Sequence, residues 1–444
     1  MTEQELITLL DKRNYKEIKQ KLEQLYPVDI AELLSELNER QLIFSFRLLG
    51  KVDAAETFTY MNSDMREILI EAMTDSELKE VMEDMYLDDT VDILEEMPAN
   101  VVDRLLEATH ENTRKRINEF LKYPEDSAGS IMTVEYVGLR QTMTVAESIL
   151  KIRQVGINKE TIYTCYVTDK KKLIGCVTMK DLLTSSDSRT IEEIMDTNIL
   201  YVNTQEDQEN VAKLTRKYGL MAIPVVDHEM CMVGIVTVDD AMLVLQEETT
   251  EDITIMAAVK PSERSYFGTS VWTHAKNRSL WLLVLMFSAT ITGVIITKYE
   301  TALTVFPTLI AFIPMLMDTG GNCGSQSSTL IIRGIALDEI KFKDIFKVVF
   351  KEFRVALIVG VFLAIVNGIR IYIMNGQDVL LAAAIGMTLI TTIMMAKLVG
   401  CSLPLCAKKI GLDPAIMAAP LITTLVDTGS IIIYFSIVTR MLHI

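Results

Sequence analysis

The stretch PAIMAAPLITTLVDTGSIIIYFSIVT, from Pro414 to Thr439, is apolar except for one ionisable residue, Asp427, and several hydroxyl residues. As a helix, a run of this length crosses the roughly 30 Å hydrocarbon layer of a bilayer. A carboxylate there is costly unless it faces water or a cation, so Asp427 is the first candidate functional residue. Neighbouring oxygen atoms come from Thr423, Thr424, Thr428 and Ser430. Oxygen is the ligand type that hard divalent cations prefer.

Further uncharged runs predict four more membrane spans, at Leu280–Thr297, Ala302–Met317, Val355–Ile369 and Val379–Ala396. Five spans place the chain termini on opposite sides of the membrane. If the N-terminus is cytoplasmic, eleven Lys and Arg residues flank the spans inside and three flank them outside, as the positive-inside rule requires. The C-terminus is therefore expected outside. Residues 335–353 alternate charged and apolar residues at helical spacing, which predicts an interfacial helix between spans two and three.

A second polar stretch, PMLMDTGGNCGSQSSTLIIRG from Pro314 to Gly334, ends the second predicted span. Its proline and its glycines are expected to break or distort the helix, and broken helices at membrane depth line cavities. Neutral oxygens would come from Asn322, Ser325, Gln326 and Ser327. Two plainer interpretations stay open: a flexible loop here, and an ion pair between Asp427 and Lys397 of the fourth span.

Charge divides the chain, because residues 1–262 carry a net charge of −22 and residues 263–444 one of +5. So acidic a part is not expected to bind nucleic acid. The first twenty residues lack the apolar core of a signal peptide, so the acidic part is expected in the cytoplasm. The six cysteines form no C-x-x-C pair, which disfavours a zinc site or a disulfide framework.

The acidic part itself contains two kinds of sequence. Residues 1–127 have helical periodicity throughout, with a loose echo between DIAELLSEL from Asp29 and DTVDILEEM from Asp89, which predicts stacked helical hairpins. Residues 128–254 contain a clearer repeat, 128–191 and 192–254, in which LIGCVTMKDLL from Leu173 returns as MVGIVTVDDAM from Met232. This repeat resembles a tandem pair of cystathionine-β-synthase (CBS) domains. The predicted fold is a multidomain membrane protein: an all-α superhelical N-domain, an α/β CBS pair, a connecting helix at 247–277 and an all-α five-helix transmembrane domain at 278–444.

TGGNCGSQSSTLIIRGIAL, followed by LDPAIMAAPLITTLVDTGSIIIYF, resembles the MgtE family of magnesium channels and transporters, and the resemblance extends over essentially the whole chain. The chain has Cys323 and Ser325 where the family's G-N-x-G-x-Q motif commonly has Ala and Asn. The resemblance implies a homodimer with its pore on the two-fold axis, where Asp427 and Asn322 would hold a largely hydrated Mg²⁺. Asp413 matches a second metal position, although it is equally suited to cap the helix before Pro414.

The resemblance also implies that cytosolic Mg²⁺ closes the pore by bridging acidic domains. The matching acids are Glu56, Asp88, Asp92, Asp240, Glu248, Glu251 and Asp252, with Asp207 and Glu209 as further candidates. Such acids are more commonly just a solvated helix face. Asp88 and Asp92, and likewise Glu248 and Asp252, are four residues apart and so share a helix face, where they repel unless a cation lies between them.

For nucleotide, the CBS resemblance points to Tyr163, Lys180, Asp181, Ala222, Ile223 and Pro224, which would make ATP a modulator. Leu220 stands where an aromatic neighbour is expected. The chain has no Walker motif and is not expected to be an enzyme. The sequence thus predicts a passive Mg²⁺ channel or transporter in the plasma membrane of a bacterial cell, in contact with membrane lipids. The alternatives are a transporter for Mn²⁺ or Co²⁺, and a membrane-anchored CBS nucleotide sensor or scaffold.

Overall fold

The computed structural model describes residues 1–262, 266–374, 378–417 and 419–443. The chain forms two compact units. One unit comprises Met1–Glu248 with Glu263–Gly268, and the other comprises Thr249–Ser262 with Thr269–Ile444. The first unit contains the acidic sequence and the second contains the apolar runs.

Ten short helices open the first unit. They are α1 (Glu3–Asp11), α2 (Tyr15–Leu22), α3 (Pro27–Ser35), α4 (Glu39–Phe46), α5 (Lys51–Thr59), α6 (Ser63–Ala72), α7 (Asp75–Glu83), α8 (Leu87–Glu96), α9 (Ala99–Ala108) and α10 (Glu111–Phe120). Capping residues set their starts: the side chains of Asn38 and Thr74 accept hydrogen bonds from the first turns of α4 and α7. Odd-numbered helices pack on one another, α3 on α5, α5 on α7 and α7 on α9. This confirms the predicted helical N-domain.

The CBS pair follows, and both copies contain a strand, a helix, two strands and a helix in that order, with one further short helix after the first copy. The first copy has β1 (Gly138–Leu139), α11 (Val145–Val155), β2 (Thr164–Asp169), β3 (Lys172–Thr178), α12 (Met179–Thr184) and α13 (Ile191–Ile194); the second has β4 (Val202–Asn203), α14 (Gln208–Tyr218), β5 (Ala222–Val226), β6 (Met232–Thr237) and α15 (Val238–Met256). In each three-stranded sheet the first two strands are parallel and the last two antiparallel. The Tyr166 hydroxyl donates to the carbonyl of Ala222, joining the two copies at a distance of 3.2 Å.

The second unit consists of long helices. They are α16 (Val271–Lys298), α17 (Glu300–Val305), α18 (Ile313–Ala336), α19 (Ile345–Met374), α20 (Val379–Lys409) and α21 (Ala419–Leu442), with 3-10 turns at Pro307–Phe312, Phe342–Asp344 and Pro414–Met417. Among the described residues, four segments are long and apolar enough to cross a membrane: Val271–Lys298, Phe342–Ile373, Val379–Lys409 and Pro414–Leu442. α18 is less apolar than these four, so the count of five spans stays a prediction.

Two predictions about the second span are wrong: its position at Ala302–Met317, and the break that the proline and the glycines are expected to cause. The helix there is α18, an unbroken helix of 24 residues, whereas most of Ala302–Met317 forms α17 and a 3-10 turn. Pro314 lies in the first helical turn, where its missing N–H costs nothing. The glycines allow close packing instead: a Cβ atom on Gly400 of α20 would lie 2.3 Å from the carbonyl oxygen of Gly324.

Two further predicted helices are corrected. No separate interfacial helix occupies residues 335–353, because α18 ends at Ala336 and α19 begins at Ile345 after one 3-10 turn. The predicted connecting helix at 247–277 is not continuous either. α15 ends at Met256, Ala258 has a left-handed φ of 57°, and α16 begins at Val271. Pro261 in this interval has no N–H to donate to a continuing helix.

Candidate functional site

Asp427 lies on α21, half-buried, against the glycine-rich surface of α18. A Cβ atom on Gly321 would lie 3.7 Å from Asp427 Oδ1 and 3.1 Å from Thr423 Cγ2. Gly321 therefore leaves room for the carboxylate between the two helices. Among the candidate hydroxyls, those of Thr423, Thr424, Thr428 and Ser430 all donate to carbonyls of their own helix. Their oxygens keep the capacity to accept hydrogen bonds or to coordinate a cation.

Asp318 is a second carboxylate in this region, and the sequence analysis did not single it out. It lies on α18, and its Oδ1 accepts a hydrogen bond of 3.1 Å from Nδ2 of Asn322. Both side chains are exposed in the single chain, and the charge of Asp318 interacts with that of Asp427. The reason for selecting Asp427, that a carboxylate in an apolar membrane segment is a candidate functional residue, applies equally to the Asp in PMLMDTGGN. The structure thus brings Asp427 and Asn322 to one region and adds Asp318.

Lys397 does not pair with Asp427, so the ion-pair interpretation is wrong. The Lys397 ammonium lies 3.6 Å from Oε2 of Glu352 on α19. Asp413 accepts a hydrogen bond of 2.8 Å from the amide of Ala415, as a capping residue does at the 3-10 turn before α21. This contact fits the capping interpretation of Asp413.

In the first unit, acidic side chains of α8 and α15 line a cavity of about 340 Å³. Its acidic lining consists of Asp88, Asp89, Asp92, Glu95, Glu125, Asp126, Asp240 and Glu247, and Arg66 is its only lining cation among the described residues. Asp88 is 7% exposed, and its buried Oδ1 has no hydrogen-bond partner within the described residues. The cavity therefore has a large excess of negative charge and one oxygen that lacks a partner.

Burial and crowding disfavour the ionised forms of four of these acids, Asp88, Asp89, Asp92 and Asp240. Burial, and next the charge of Asp240, raise the pKa of Asp88 well above its usual value. The same two causes raise the pKa of Asp89 to about 6 and that of Asp92 to about 8. Burial also raises the pKa of Asp240, against the hydrogen bond from Thr237. A cation in the cavity would lower the cost of ionising all four.

The other predicted sensing acids lie outside this lining. Glu56 is exposed on α5, where its charge helps to raise the pKa of Tyr60 and Tyr86 behind the effect of burial. Glu248 accepts a hydrogen bond of 2.9 Å from Gln208, a residue of the cavity wall. Glu251 and Asp252 follow on α15, where the second unit of the chain begins.

Asp207 and Glu209 have local roles in α14. Asp207 caps the helix by accepting from the amides of Glu209 and Asn210, and Glu209 pairs with Lys213 at 2.6 Å. Over the described part of the chain, no three His, Cys, Asp or Glu side chains form a group that could hold a metal ion. Sequence reasoning missed Asp89, Glu247 and Glu160. Glu160 is a half-buried residue whose pKa burial and then Asp240 raise to about 8.

The nucleotide candidates divide into two groups. Tyr163 and Lys180 are exposed at the ends of β2 and β3, and the Asp181 carboxylate caps α12 by accepting from the Thr178 amide at 3.1 Å. Ala222, Ile223 and Pro224 lie in β5 with their side chains buried. Only backbone atoms of these three could meet a ligand. Leu220 precedes β5 and is half-buried.

Family models match three parts of the chain. The model for the MgtE divalent cation transporter matches residues 313–437, the MgtE intracellular N domain matches 25–126, and the CBS domain matches 128–187 and 191–247. Similar proteins include the magnesium transporter MgtE of Thermus thermophilus, 34% identical over 99% of this chain and 98% of the relative. Magnesium transporter MgtE of Bacillus subtilis is 31% identical, over 99% and 97%.

Solved structures agree with the fold of the first unit. The crystal structure of the cytosolic domain of the Mg²⁺ channel MgtE in complex with ATP is 35% identical, with a TM-score of 0.52 over 54% of this chain and 98% of that one. The soluble part of a magnesium transporter is 27% identical, with a TM-score of 0.52 over 55% and 97%. The chain belongs to the MgtE family of magnesium transporters, and it is a membrane protein with cytosolic domains and not an enzyme.

Proposed function

We propose that this protein is a Mg²⁺-selective channel through which magnesium enters the cell passively. The observation that carries the proposal is Asp427 on α21, which shares one region with Asp318 and Asn322 of α18. Carboxylate and amide side chains on the outer surface of a membrane helix bundle would have a high free-energy cost if they faced lipid. In a homodimer with this face on the two-fold axis, they would line a water-filled path. A Mg²⁺ ion keeps several waters and is held by one or two carboxylates, which such a path supplies.

The orientation is part of the same proposal. The acidic unit is cytoplasmic, the membrane is the plasma membrane, and the C-terminus lies outside, in accord with the distribution of Lys and Arg around the spans. Lipid-facing surface is available on α16 and α19, where large apolar side chains such as Phe287, Ile358 and Phe362 are exposed in the single chain.

Cytosolic Mg²⁺ would close this channel through the acidic cavity between α8 and α15. Without a cation, the crowded carboxylates repel one another and disfavour the packed arrangement; a bound Mg²⁺ favours it. The ligand then shifts the population toward the closed form because it binds that form better. Since no three of these acids are placed for direct chelation, hydrated Mg²⁺ bridging through its waters is the appropriate ligand.

ATP is proposed as a modulator at the CBS pair. The support is the ATP complex of the similar cytosolic domain, together with an exposed aromatic ring and an exposed ammonium at Tyr163 and Lys180. Lys180 would meet the phosphates, Asp181 the ribose and Tyr163 the base.

The test is Mg²⁺ uptake into proteoliposomes by wild type and Asp427→Ala, with low and then high internal Mg²⁺. We expect wild-type flux at low internal Mg²⁺ only, and its loss in the variant. Parallel assays with Mn²⁺ and Co²⁺ address the alternative substrates. A wild type that passes no divalent ion under either condition would support the sensor or scaffold interpretation instead.

A further inference from the structure

Three polar side chains meet inside the membrane unit, away from Asp427. The hydroxyl of Ser327 on α18 donates to Oε2 of Glu352 on α19 at 2.7 Å, and it accepts from Nζ of Lys397 on α20 at 3.1 Å. Lys397 and Glu352 also form an ion pair at 3.6 Å. Their exposed fractions are 0% for Ser327, 8% for Glu352 and 5% for Lys397. We call this group the buried clamp.

The buried clamp is costly, and packing alone does not require it. Taking two charges out of water is repaid only when their geometry is good and further hydrogen bonds satisfy them, as the Ser327 hydroxyl does here. Ionisable residues at membrane depth are functional by default. Lys397 pairs with Glu352 and not with Asp427, so the ion pair does not neutralise the Asp427 carboxylate. Their role must therefore act through the helix that they hold, which is α18.

α18 needs such an anchor because its glycine face, which packs against α20, has no side chains that could interlock with the neighbouring helix. Gly324 of α18 meets α20 backbone to backbone: a Cβ on Gly400 would lie 2.3 Å from the Gly324 oxygen, and one on Gly324 would lie 3.3 Å from the Ala396 oxygen. Smooth glycine surfaces bring helices close together but resist sliding and rotation poorly, since no side chain interlocks. Directional hydrogen bonds one turn further along supply that resistance.

The adjacent residue, Ser328, connects the same turn of α18 to the 3-10 turn before α21. Ser328 donates to the carbonyl of Met417 at 2.9 Å, in the 3-10 turn before α21. α21 carries Asp427, and α18 carries Asn322 and Asp318 within three turns of the serine pair. Contacts from Ser327 and Ser328 thus set where the α18 polar face lies relative to Asp427.

We propose that Ser327, Glu352 and Lys397 are positioning residues for the ion path: the buried clamp fixes the rotation and height of α18, and so the spacing between its polar face and Asp427. This inference rests on the proposed function for its transport consequence. Its structural part, the placement of α18, stands independently.

The transport test uses full-length protein in proteoliposomes. Glu352→Gln and Lys397→Met should each raise the apparent KM for Mg²⁺ by roughly fivefold or more, because either change leaves one buried charge unpaired and frees α18 to shift. The exchange Glu352→Lys with Lys397→Glu should restore the KM toward wild type, because the Ser327 hydroxyl can both donate and accept. Matched controls are Asp344→Asn and Lys347→Met, which remove an ion pair at the start of α19 whose Lys side chain is 85% exposed.

A second readout does not depend on transport. Cys323 lies on α18 and is 6% exposed. With the other five cysteines replaced, its labelling rate by a membrane-permeant maleimide reports rotation of α18. Faster labelling is expected in Glu352→Gln and Lys397→Met, and a return to the wild-type rate in the exchange. Should the charge variants fail to fold, Ser327→Ala removes the hydroxyl that links Lys397 to Glu352 while both charges stay. For this variant we also expect a higher KM for Mg²⁺ and faster labelling of Cys323.

Folded variants with wild-type KM and wild-type Cys323 labelling would overturn the proposal, as would a lower maximal rate alone, which marks a merely structural role. If the wild type passes no Mg²⁺, the proposed function fails, while the labelling of Cys323 still decides whether the buried clamp positions α18.

Discussion

Asp318 and Asp427 come from helices about a hundred residues apart in the chain, and their charges interact across the α18–α21 contact. Asn322 orients Asp318 by donating to Oδ1, which leaves Oδ2 available for a ligand. Two carboxylates near one path favour a divalent ion over a monovalent one, because the attraction scales with the charge of the ion. We therefore propose Asp318 as a further residue of the ion path.

Asp318→Asn keeps the size of the side chain and removes its charge. We expect the apparent affinity for Mg²⁺ to fall by about three- to tenfold, a loss of roughly 1 kcal/mol, while some flux remains because Asp427 persists. The measurement is Mg²⁺ uptake over a concentration series. Asp338→Asn, just beyond the end of α18, is the matched control, since Asn also tolerates its left-handed φ of 57°. An unchanged KM in Asp318→Asn would remove this residue from the path.

At the scale of elements, α8 and α15 carry the acidic cavity, and burial raises the pKa values of its Asp88, Asp89 and Asp92 carboxyls. When folding raises the pKa of a carboxyl, that group stabilises the folded state fully at pH values below its unfolded pKa, near 4. The stabilisation is lost as pH rises through the folded pKa, which is about 6 for Asp89 and about 8 for Asp92. Between pH 5 and pH 8, without divalent cation, the packing of α8 should therefore weaken.

Hydrogen exchange of the α8 amides in the full chain measures this effect. After correction for intrinsic rates, the free energy of opening should fall by on the order of 2 kcal/mol from pH 5 to pH 8 in EDTA, allowing for solvent screening, and Mg²⁺ should restore it. Asp88→Asn should flatten the pH dependence and reduce the effect of Mg²⁺; Asp84→Asn, an exposed acid at the end of α7, should not. A pH-independent opening in the wild type would refute the cavity as a cation sensor.

At the scale of the whole molecule, the proposed homodimer accounts for a polar surface that the single membrane unit leaves exposed. Its exposed surface includes apolar side chains suited to lipid, but also the polar stripe of Asp318 and Asn322, which is not. A second copy on the same face would cover that stripe and enclose an aqueous path with two-fold symmetry, the commonest arrangement of soluble homo-oligomers.

Cross-linking in the membrane tests this arrangement. In a background without other cysteines, Asn322→Cys should give a covalent dimer with a short bismaleimide, because the proposed dimer places this position of the two copies face to face across the axis. Gly368→Cys is the matched control on α19, at a site where a Cβ atom would meet nothing within 4 Å. Cross-linking at Gly368→Cys but not at Asn322→Cys would contradict a pore on the dimer axis.

Local sequence was sufficient for the helical N-domain and the CBS repeat, because periodicity and repetition are properties of neighbouring residues. It also singled out Asp427 as a candidate, because an ionisable residue in an apolar run is visible in the sequence alone. It failed at α18, because glycine and proline predict a break from local sequence alone. In the folded chain Pro314 lies in the first turn of α18, and the glycines allow close packing against neighbouring helices. Tertiary structure alone decided that Lys397 pairs with Glu352 and not Asp427, and that Asp89 and Asp240 share a cavity. Such partners lie tens of residues to more than a hundred residues apart, and no local pattern encodes which of several charges folding will bring together.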